Sequence, residues 1–380
     1  MSRTPGFSRR LMLQAGAGAA AAVALPRWAH ASVEPIRIGR TAATSGPFSY
    51  PYLEMNKGIA AAFEEVNAKG GIERRKLEMI ALDDQGSAAK AVENAKLLLE
   101  RDKVFAFLGC GPTQTVLAML PLLAQTRVPL IAPGTGLDAL RAEYNPLTIY
   151  TRPTYGAEIA KIARQLAVVG QNKCAVVYSD NAFGKSTFAA FDAAAKKEGN
   201  TEWKGFMLTD KPEETGKLVE QIAAWGPSSY LSASVATHGV PFFRALRSRI
   251  KAPAYTFSLL GSKPILDAVG DHSRGLVVSQ VVPNPDNITI RVVKEYQAAM
   301  KKTDGGEPNY SSLEGYIAAR VLIEGLRRAK GTTDRERFLQ AFLTMRPYDM
   351  GGFDVAFASG DNTGSDFVEL THYTGERFRR

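Results

Sequence analysis

Three short segments carry residue types suited to holding a small anion. Thr44-Ser45-Gly46-Pro47-Phe48-Ser49-Tyr50-Pro51-Tyr52 mixes hydroxyls with aromatic rings ahead of a helical pattern. Gly109 to Gln114 leads through Gly111 into Thr113, and Pro133-Gly134-Thr135-Gly136 precedes another short helical piece. Each follows an apolar strand pattern. Backbone N–H groups at a helix start lack intrahelical partners and bind anions without a cationic side chain. Two such loops on adjacent strands could hold one carboxylate; the alternative for each is an ordinary turn with local capping. The candidates here are Ser45, Tyr50, Tyr52, Gly111, Thr113, Gly134, Thr135 and Gly136. In the second half the matching places are Ser179 to Phe183, Ala236-Thr237-His238-Gly239 and Leu260-Gly261-Ser262-Lys263-Pro264. They add Phe183, Thr237, His238, Ser262 and Lys263, with Tyr155 at the start of a helix. His238 reads either as a polar contact in a cleft or as a plain loop residue.

Motifs for covalent chemistry fail one by one. Gly184-Lys185-Ser186 resembles the end of a phosphate loop, but Ser179 stands where that motif needs glycine. No G-x-G-x-x-G follows the opening strand, and no G-x-S-x-G elbow places a serine nucleophile. The histidines have no metal-ligand spacing. Asp83-Asp84 could act as an acid pair or bind a cation, yet more plausibly closes a strand and caps local amides.

The elements that must position these loops alternate with little filler. Strands are expected at Ile36–Gly39, Lys76–Leu82, Val104–Leu108 and Val128–Ile131, with helices at Asn56–Lys69 and Ser87–Arg101 and another from Thr113 or Gln114. The rhythm repeats with helices at Tyr155–Val169, Gly184–Glu198, Glu213–Ala224 and Val240–Arg249. Strands fall at Cys174–Tyr178, Trp203–Leu208, Ser229–Val235, Ala254–Phe257 and Gly275–Val282. Helices at Asn287–Lys302, Ser311–Ala329 and Arg335–Thr344 follow, then short strands near Val355–Phe357 and Phe367–Leu370. Strand, turn, helix, strand with short loops is an α/β pattern of parallel sheets flanked by helices. Two lobes account for it better than one sheet, and in open sheets ligands sit beyond the carboxyl ends of the strands.

The first 31 residues stand apart. Ser8-Arg9-Arg10-Leu11-Met12 places paired arginines before an uncharged stretch, Leu11 to Leu25, and Ala29-His30-Ala31 offers a small-x-small cleavage site. This is the layout of an export signal of the twin-arginine type, with the mature chain starting near Ser32. The apolar stretch is short of the ~20 residues that span a bilayer. Removing the segment, with its four arginines and no acid, lowers the formal net charge from +9 to +5. That charge is dispersed, so nucleic acid is not an expected partner. The two cysteines, Cys110 and Cys174, fall at similar places in successive α/β units and are expected to be free thiols.

Taken in order, Thr44-Ser45-Gly46-Pro47, Glu65 to Ile72, Asp83-Asp84, Gly109 to Thr113, Val128 to Pro133, Tyr150-Thr151-Arg152, Asp180 to Gly184, Ser312 to Ala319 and Gly351-Gly352-Phe353 resemble the leucine/isoleucine/valine-binding family. These are periplasmic solute-binding proteins of ABC importers, with the type I periplasmic binding protein fold. The resemblance implies two Rossmann-like lobes joined by a three-crossover hinge near Tyr150–Pro153, Val282–Asp286 and Met345–Gly351. Lobe one would be residues 33–151 plus 286–346, and lobe two residues 152–285 plus 347–380. It implies a periplasmic, monomeric receptor that captures a small carboxylate-bearing ligand and delivers it to a membrane permease, with no cofactor, metal or catalysis. An exported ligand sensor of the same fold is the alternative, and an exported enzyme a more distant one.

The resemblance also places the loops at Gly111–Thr113 and Gly134–Gly136 around the ligand's α-carboxylate. Gly111 or Pro112 falls where relatives use a serine, Gly136 where they use a threonine, and Phe183 where they use a tyrosine. Tyr50 and Tyr52 fall in the loop that supplies an aromatic wall. Lys263 lies at or beside the position of an acid that pairs with the ligand's ammonium group. Either the ligand lacks an α-amino group, or another acid, such as Asp180 or Glu314, takes that role. The partner of a cysteine matching Cys110 would lie near Gly86, where this chain has none.

Overall fold

The computed structural model describes residues 1, 33–46, 49–234, 239–345 and 347–380, and not the side chains of Ala182 and Lys263. The twin-arginine segment therefore lies outside the described residues. From Pro35 onward the chain is one contact unit. Its first half runs β1 (Ile36–Ala42), α1 (Ser49–Ala68), β2 (Leu77–Asp83), α2 (Ala88–Glu100), β3 (Ala106–Leu108), α3 (Thr113–Thr126), β4 (Leu130–Ile131) and β5 (Thr148–Ile149). The second run is α4 (Tyr155–Val168), β6 (Lys173–Ser179), α5 (Ala182–Glu198), β7 (Glu202–Leu208), α6 (Thr215–Trp225), β8 (Ser229–Ala233), α7 (Gly239–Arg249), β9 (Ala254–Thr256), α8 (Lys263–Val269) and β10 (Val277–Gln280). The last part holds α9 (Arg291–Lys302), α10 (Tyr310–Arg328), α11 (Arg335–Leu343), β11 (Tyr348–Asp349), β12 (Asp354–Val355), β13 (Glu369–Tyr373) and β14 (Phe378–Arg379).

These strands form two sheets and a small ribbon. The first sheet has the order β2-β1-β3-β4-β5, every pair parallel. The second has the order β14-β13-β10-β9-β8-β6-β7, parallel from β10 to β7, with β13 and β14 added antiparallel. Parallel sheets need both faces covered. Accordingly β1 and β8 are buried almost throughout. This is a two-lobed α/β fold, each lobe a parallel sheet flanked by helices.

Local sequence signals set most helix ends. The Thr154 hydroxyl accepts from the Ala157 N–H at 3.0 Å to start α4, and Asn181 accepts from Gly184 at 2.9 Å to start α5. Such side chains satisfy amides that the helix itself leaves unpaired. Asn309 and Ser312 cap α10 reciprocally. Two helix starts differ from expectation. Helix α1 begins at Ser49 rather than Asn56, so Tyr50 and Tyr52 lie in its first turn, where Pro51 is tolerated because its missing N–H would have no partner. The stretch from Lys263, read as loop, forms the short α8.

Helices α9, α10 and α11 follow the second run in sequence but pack on the first sheet. Leu313, Ile317, Leu322 and Leu326 of α10 share a core with Ile38, Ile59 and Phe63. Met350, Phe353, Val355 and Phe357 join that core as well. Helices α1 and α10 meet through reciprocal glycines: a Cβ at Gly58 would fall on the Ser312 carbonyl, and one at Gly315 on the Met55 carbonyl. Both cysteines are free and buried, and burial pushes their thiols up to about 11 for Cys110 and about 12 for Cys174.

Replacing Gly58 with alanine forces these helices apart, and overpacking of this kind costs about 1–3 kcal/mol. In α6 a Cβ at Gly216 meets nothing within 4 Å, so Gly216→Ala is expected to be neutral or to stabilise by up to about 1 kcal/mol. Urea unfolding of the two variants measures the difference; equal midpoints would contradict the packing argument.

Candidate functional site

The loops after β1, β3 and β4 converge on Tyr52. Its ring lies against Gly111 and Gly134, where a Cβ would collide with it, and its hydroxyl donates to the Gly134 carbonyl at 3.1 Å. Gly134 N–H donates in turn to the Cys110 carbonyl at 2.7 Å. The glycines at these two positions thus make room for a tyrosine ring of α1. Tyr52 is buried, and burial holds its hydroxyl well above the ordinary tyrosine range. It acts as a keystone of the site loops rather than as an open aromatic wall.

Beside it, the Thr113 and Thr135 hydroxyls lie 2.7 Å apart, and Thr135 Oγ1 also accepts from the Leu137 N–H at 3.2 Å. One hydroxyl of the pair donates to the other, which leaves one O–H proton for a further acceptor. Thr113 opens α3, and no side chain caps that helix. The positive end of its dipole and a spare hydroxyl proton therefore fall together. Gly136 packs on Tyr155, whose N–H donates to the Gly136 carbonyl at 2.6 Å. Ser45 is committed elsewhere: its hydroxyl donates to Asp83 at 2.5 Å.

On the second lobe, Tyr155, Phe183 and Phe257 form an aromatic cluster, with Tyr155 edge-on to Phe183 at 5.1 Å between ring centroids. Phe183 and Tyr155 are both buried. Ser262 ends the loop before α8; its hydroxyl is buried and has no hydrogen-bond partner among the described residues. Tyr50, half-buried, has its hydroxyl pushed up by burial and then by Glu54 and by Asp267 of α8, so the first turn of α1 lies within electrostatic reach of α8. Thr237 and His238 lie outside the described residues, as does the Lys263 side chain.

Beneath these loops lie three charges that the sequence did not mark as site residues, Arg40, Arg152 and Glu158, and Glu314, which it offered as an alternative acid. Arg40 is fully buried in β1 and donates through Nη1 to the Gly109 carbonyl and through Nη2 to the Tyr52 carbonyl at 3.2 Å. Burial lowers its pKa to about 10. Arg152, just after β5, donates through Nη2 to Glu158 at 2.9 Å and to Ser258 at 2.8 Å, while Nη1 lies 3.3 Å from Glu314. Glu158 also accepts from Ser258 N–H at 3.1 Å and Ser279 Oγ at 2.5 Å. Burial opposes the Arg152 charge, but Glu314 and Glu158 outweigh it and hold its pKa above the ordinary arginine value. The available signals were Arg40 on the strand Ile36–Ala42, which also carries the less buried Arg37, and Glu158 on the inward side of α4 with Tyr155, Ile159 and Ile162.

Asp83 and Asp84 serve the backbone. Asp83 accepts from Thr44 N–H at 2.8 Å and Gln85 N–H at 2.9 Å, and Asp84 accepts from Gly86 N–H at 2.8 Å and the Thr41 hydroxyl at 3.1 Å. Among the described residues no group of three His, Cys, Asp or Glu side chains is placed to hold a metal ion. A groove of about 490 Å³ between the end of α3 and α11 lies beyond the opposite, amino ends of the strands.

Two α/β lobes whose strand-end loops present hydroxyls, an uncapped helix start and an aromatic cluster define a bilobed solute-binding fold. Residues 35–374 match the model described as "Periplasmic binding protein", and the chain belongs to that family. It is similar to Leu/Ile/Val-binding protein homolog 7 of Brucella abortus (strain 2308), 24% identical over 343 residues that cover 84% of this chain and 80% of that protein. Among solved structures it is similar to a possible leucine/isoleucine/valine-binding protein from Rhodopirellula baltica SH 1, with a TM-score of 0.85 and 24% identity over 92% of this chain and 96% of that one. An ABC-transporter solute-binding protein from R. palustris, solved in complex with benzoate, gives a TM-score of 0.81 at 15% identity, covering 91% of this chain and 95% of that one.

The two aspartates predict opposite pH effects. Burial raises the Asp84 pKa to about 6, above its unfolded value of about 3.9. The folded state therefore holds this proton more tightly, and stability falls as pH rises from about 4 to about 6. Burial opposes ionisation of Asp83 too, but its hydrogen bonds win and lower its pKa to about 2. Its contribution is full above about pH 4 and is lost as pH falls toward 2. Thermal unfolding across this range should show the decline between pH 4 and 6 in the native chain and a flatter profile in Asp84→Asn; the same slope in both would contradict the assignment.

Proposed function

We propose that this chain is the periplasmic receptor of an ABC importer, and that its ligand is a small carboxylate without an α-amino group, aromatic or aliphatic. The export signal over residues 1–31 would deliver it, cleaved near Ser32. The lobes would be residues 33–151 plus 286–346 and residues 152–285 plus 347–380. The packing of Phe353, Val355 and Phe357 with the first core favours moving the third crossover beyond Phe357. The lobes close on the ligand and open at the permease, and no bond of the ligand is broken.

One observation carries the choice of ligand: the cleft keeps donors in reserve while its acids are engaged. Asp180 pairs with Lys185 at 2.7 Å, Glu158 is held by Arg152, Ser258 and Ser279, and Glu314 faces Arg152. An ammonium group would have to compete with Arg152 or Lys185 for each of these carboxylates. A carboxylate would meet the spare hydroxyl of the Thr113–Thr135 pair, the uncapped start of α3 and the unpartnered Ser262 hydroxyl. Phe183 and Tyr155 offer apolar surface for the ligand body. Leucine/isoleucine/valine-binding relatives support the receptor role, and the benzoate complex supports the capacity of the fold for an aromatic acid. Ser45, Tyr52, Gly111, Gly134 and Gly136 shape the site from behind, and Tyr50, Thr237, His238 and Lys263 are its remaining proposed contacts.

Titration calorimetry with benzoate, 4-hydroxybenzoate, phenylacetate and leucine tests this reading. At least one acid should bind about 100-fold tighter than leucine, and Ser262→Ala or Lys263→Ala should weaken it about 10-fold, the loss of one charge-assisted hydrogen bond. Tight leucine binding that Lys263→Ala leaves unchanged would overturn it.

A further inference from the structure

The charge cluster under the cleft is lopsided. Arg152 is fixed to the second lobe through Nη2, which donates to Glu158 of α4 and to Ser258 beyond β9. Glu158 is itself fixed there by Ser258 and by Ser279 of β10. Toward the first lobe the guanidinium presents only Nη1, 3.3 Å from Glu314 of α10. That ion pair lacks hydrogen-bond geometry: Nη1 and Nε are both buried without a hydrogen-bond partner. Glu314 sits in a helix whose other inward residues belong to the first core.

We propose that Glu314 is a positioning residue for lobe closure, acting through Arg152: the pair is a latch that favours the closed arrangement. This rests on the two-lobe closure read above. Because Arg152 is held by the second lobe and Glu314 by the first, rotation about the crossovers changes their separation while the Glu158 bonds stay intact. Opening lengthens a buried ion pair whose partners have little water to replace it. Closure by a few tenths of an ångström turns it into a charge-assisted hydrogen bond and satisfies an orphaned donor. The groups facing Glu314 are Arg152, Glu158 on α4 and Arg40 on β1. Burial raises its pKa above the ordinary glutamate value; Arg152 and Arg40 oppose that rise and Glu158 adds to it. Protonation of Glu314 removes the attraction and releases the latch.

The test uses the full-length protein with its two buried native cysteines and spin labels at Lys96→Cys in α2 and Lys217→Cys in α6, both exposed positions. Pulsed electron–electron distance measurements on ligand-stripped protein give the populations of the two arrangements. Relative to the native residue, Glu314→Gln should lower the closed-to-open ratio about 10-fold. Because that pKa is raised, acidification should begin to open the native protein above the titration range of an ordinary glutamate and leave the Glu314→Gln variant unmoved; this arm also decides the matter if the variant is poorly folded, because the native protein alone must then open. Two interconverting distances that neither the variant nor acid redistributes would overturn the latch and leave the closure reading standing. One fixed distance in the native protein, unaltered by benzoate or by leucine, would overturn both.

Discussion

Two guanidinium groups, those of Arg40 and Arg152, are buried beneath the loops of the site. Taking such a charge out of water costs several kcal/mol unless polar groups surround it. The fold meets that demand in two ways. Arg40 is surrounded by carbonyl oxygens at the ends of β3 and α1, so its burial shapes the loop that contains Gly109 and holds the first turn of α1. Arg152 is surrounded by carboxylates and hydroxyls drawn from α4, β10 and the loop after β9, with α10 opposite. Each lobe's site loops are thus pinned from below by a charge that cannot be moved without leaving its partners unpaired.

The same demand explains the character of the cleft. The acids near it are engaged with Arg152 and Lys185, and Arg40 is spent on carbonyls. Among the described residues, the donors left over are neutral: the Thr113–Thr135 pair, the Ser262 hydroxyl and the start of α3. Neutral donors at a helix terminus suit an anion without a counter-charge. Tyr52 ties the arrangement together, because its ring fills the space that Gly111 and Gly134 leave open.

Much of this architecture was legible in the sequence. Alternating apolar strands and amphipathic helices are local patterns, and capping residues such as Ser87, Thr154 and Asn181 mark helix starts where the chain places them. The family pattern also suggested that Ser311 to Ala329, late in the chain, goes with the first α/β run, and α10 packs on the first sheet. The start of α1 was missed because Ser49 to Tyr52 is rich in hydroxyls and aromatics that suit a loop equally well. Helix α8 is only seven residues long and has no side-chain cap to announce it. The roles of Arg40, Arg152 and Glu158 were out of reach for a deeper reason. The bonds of Glu158 to Ser258 and Ser279 join residues 100 and 121 positions apart, and no local period records such a pairing. Likewise, the glycines at 111 and 134 read as freedom for a ligand, whereas the nearest occupant of that space is a tyrosine ring.

The central claim is that the cleft holds a carboxylate and has no place for an ammonium group. Mass spectrometry of small molecules released by denaturing the protein as purified from cells tests it most directly. A carboxylic acid without an α-amino group, present in near-stoichiometric amount and absent after the protein is stripped by unfolding and refolding, is the predicted result. Recovery of leucine, isoleucine, valine or another α-amino acid in that amount would contradict it.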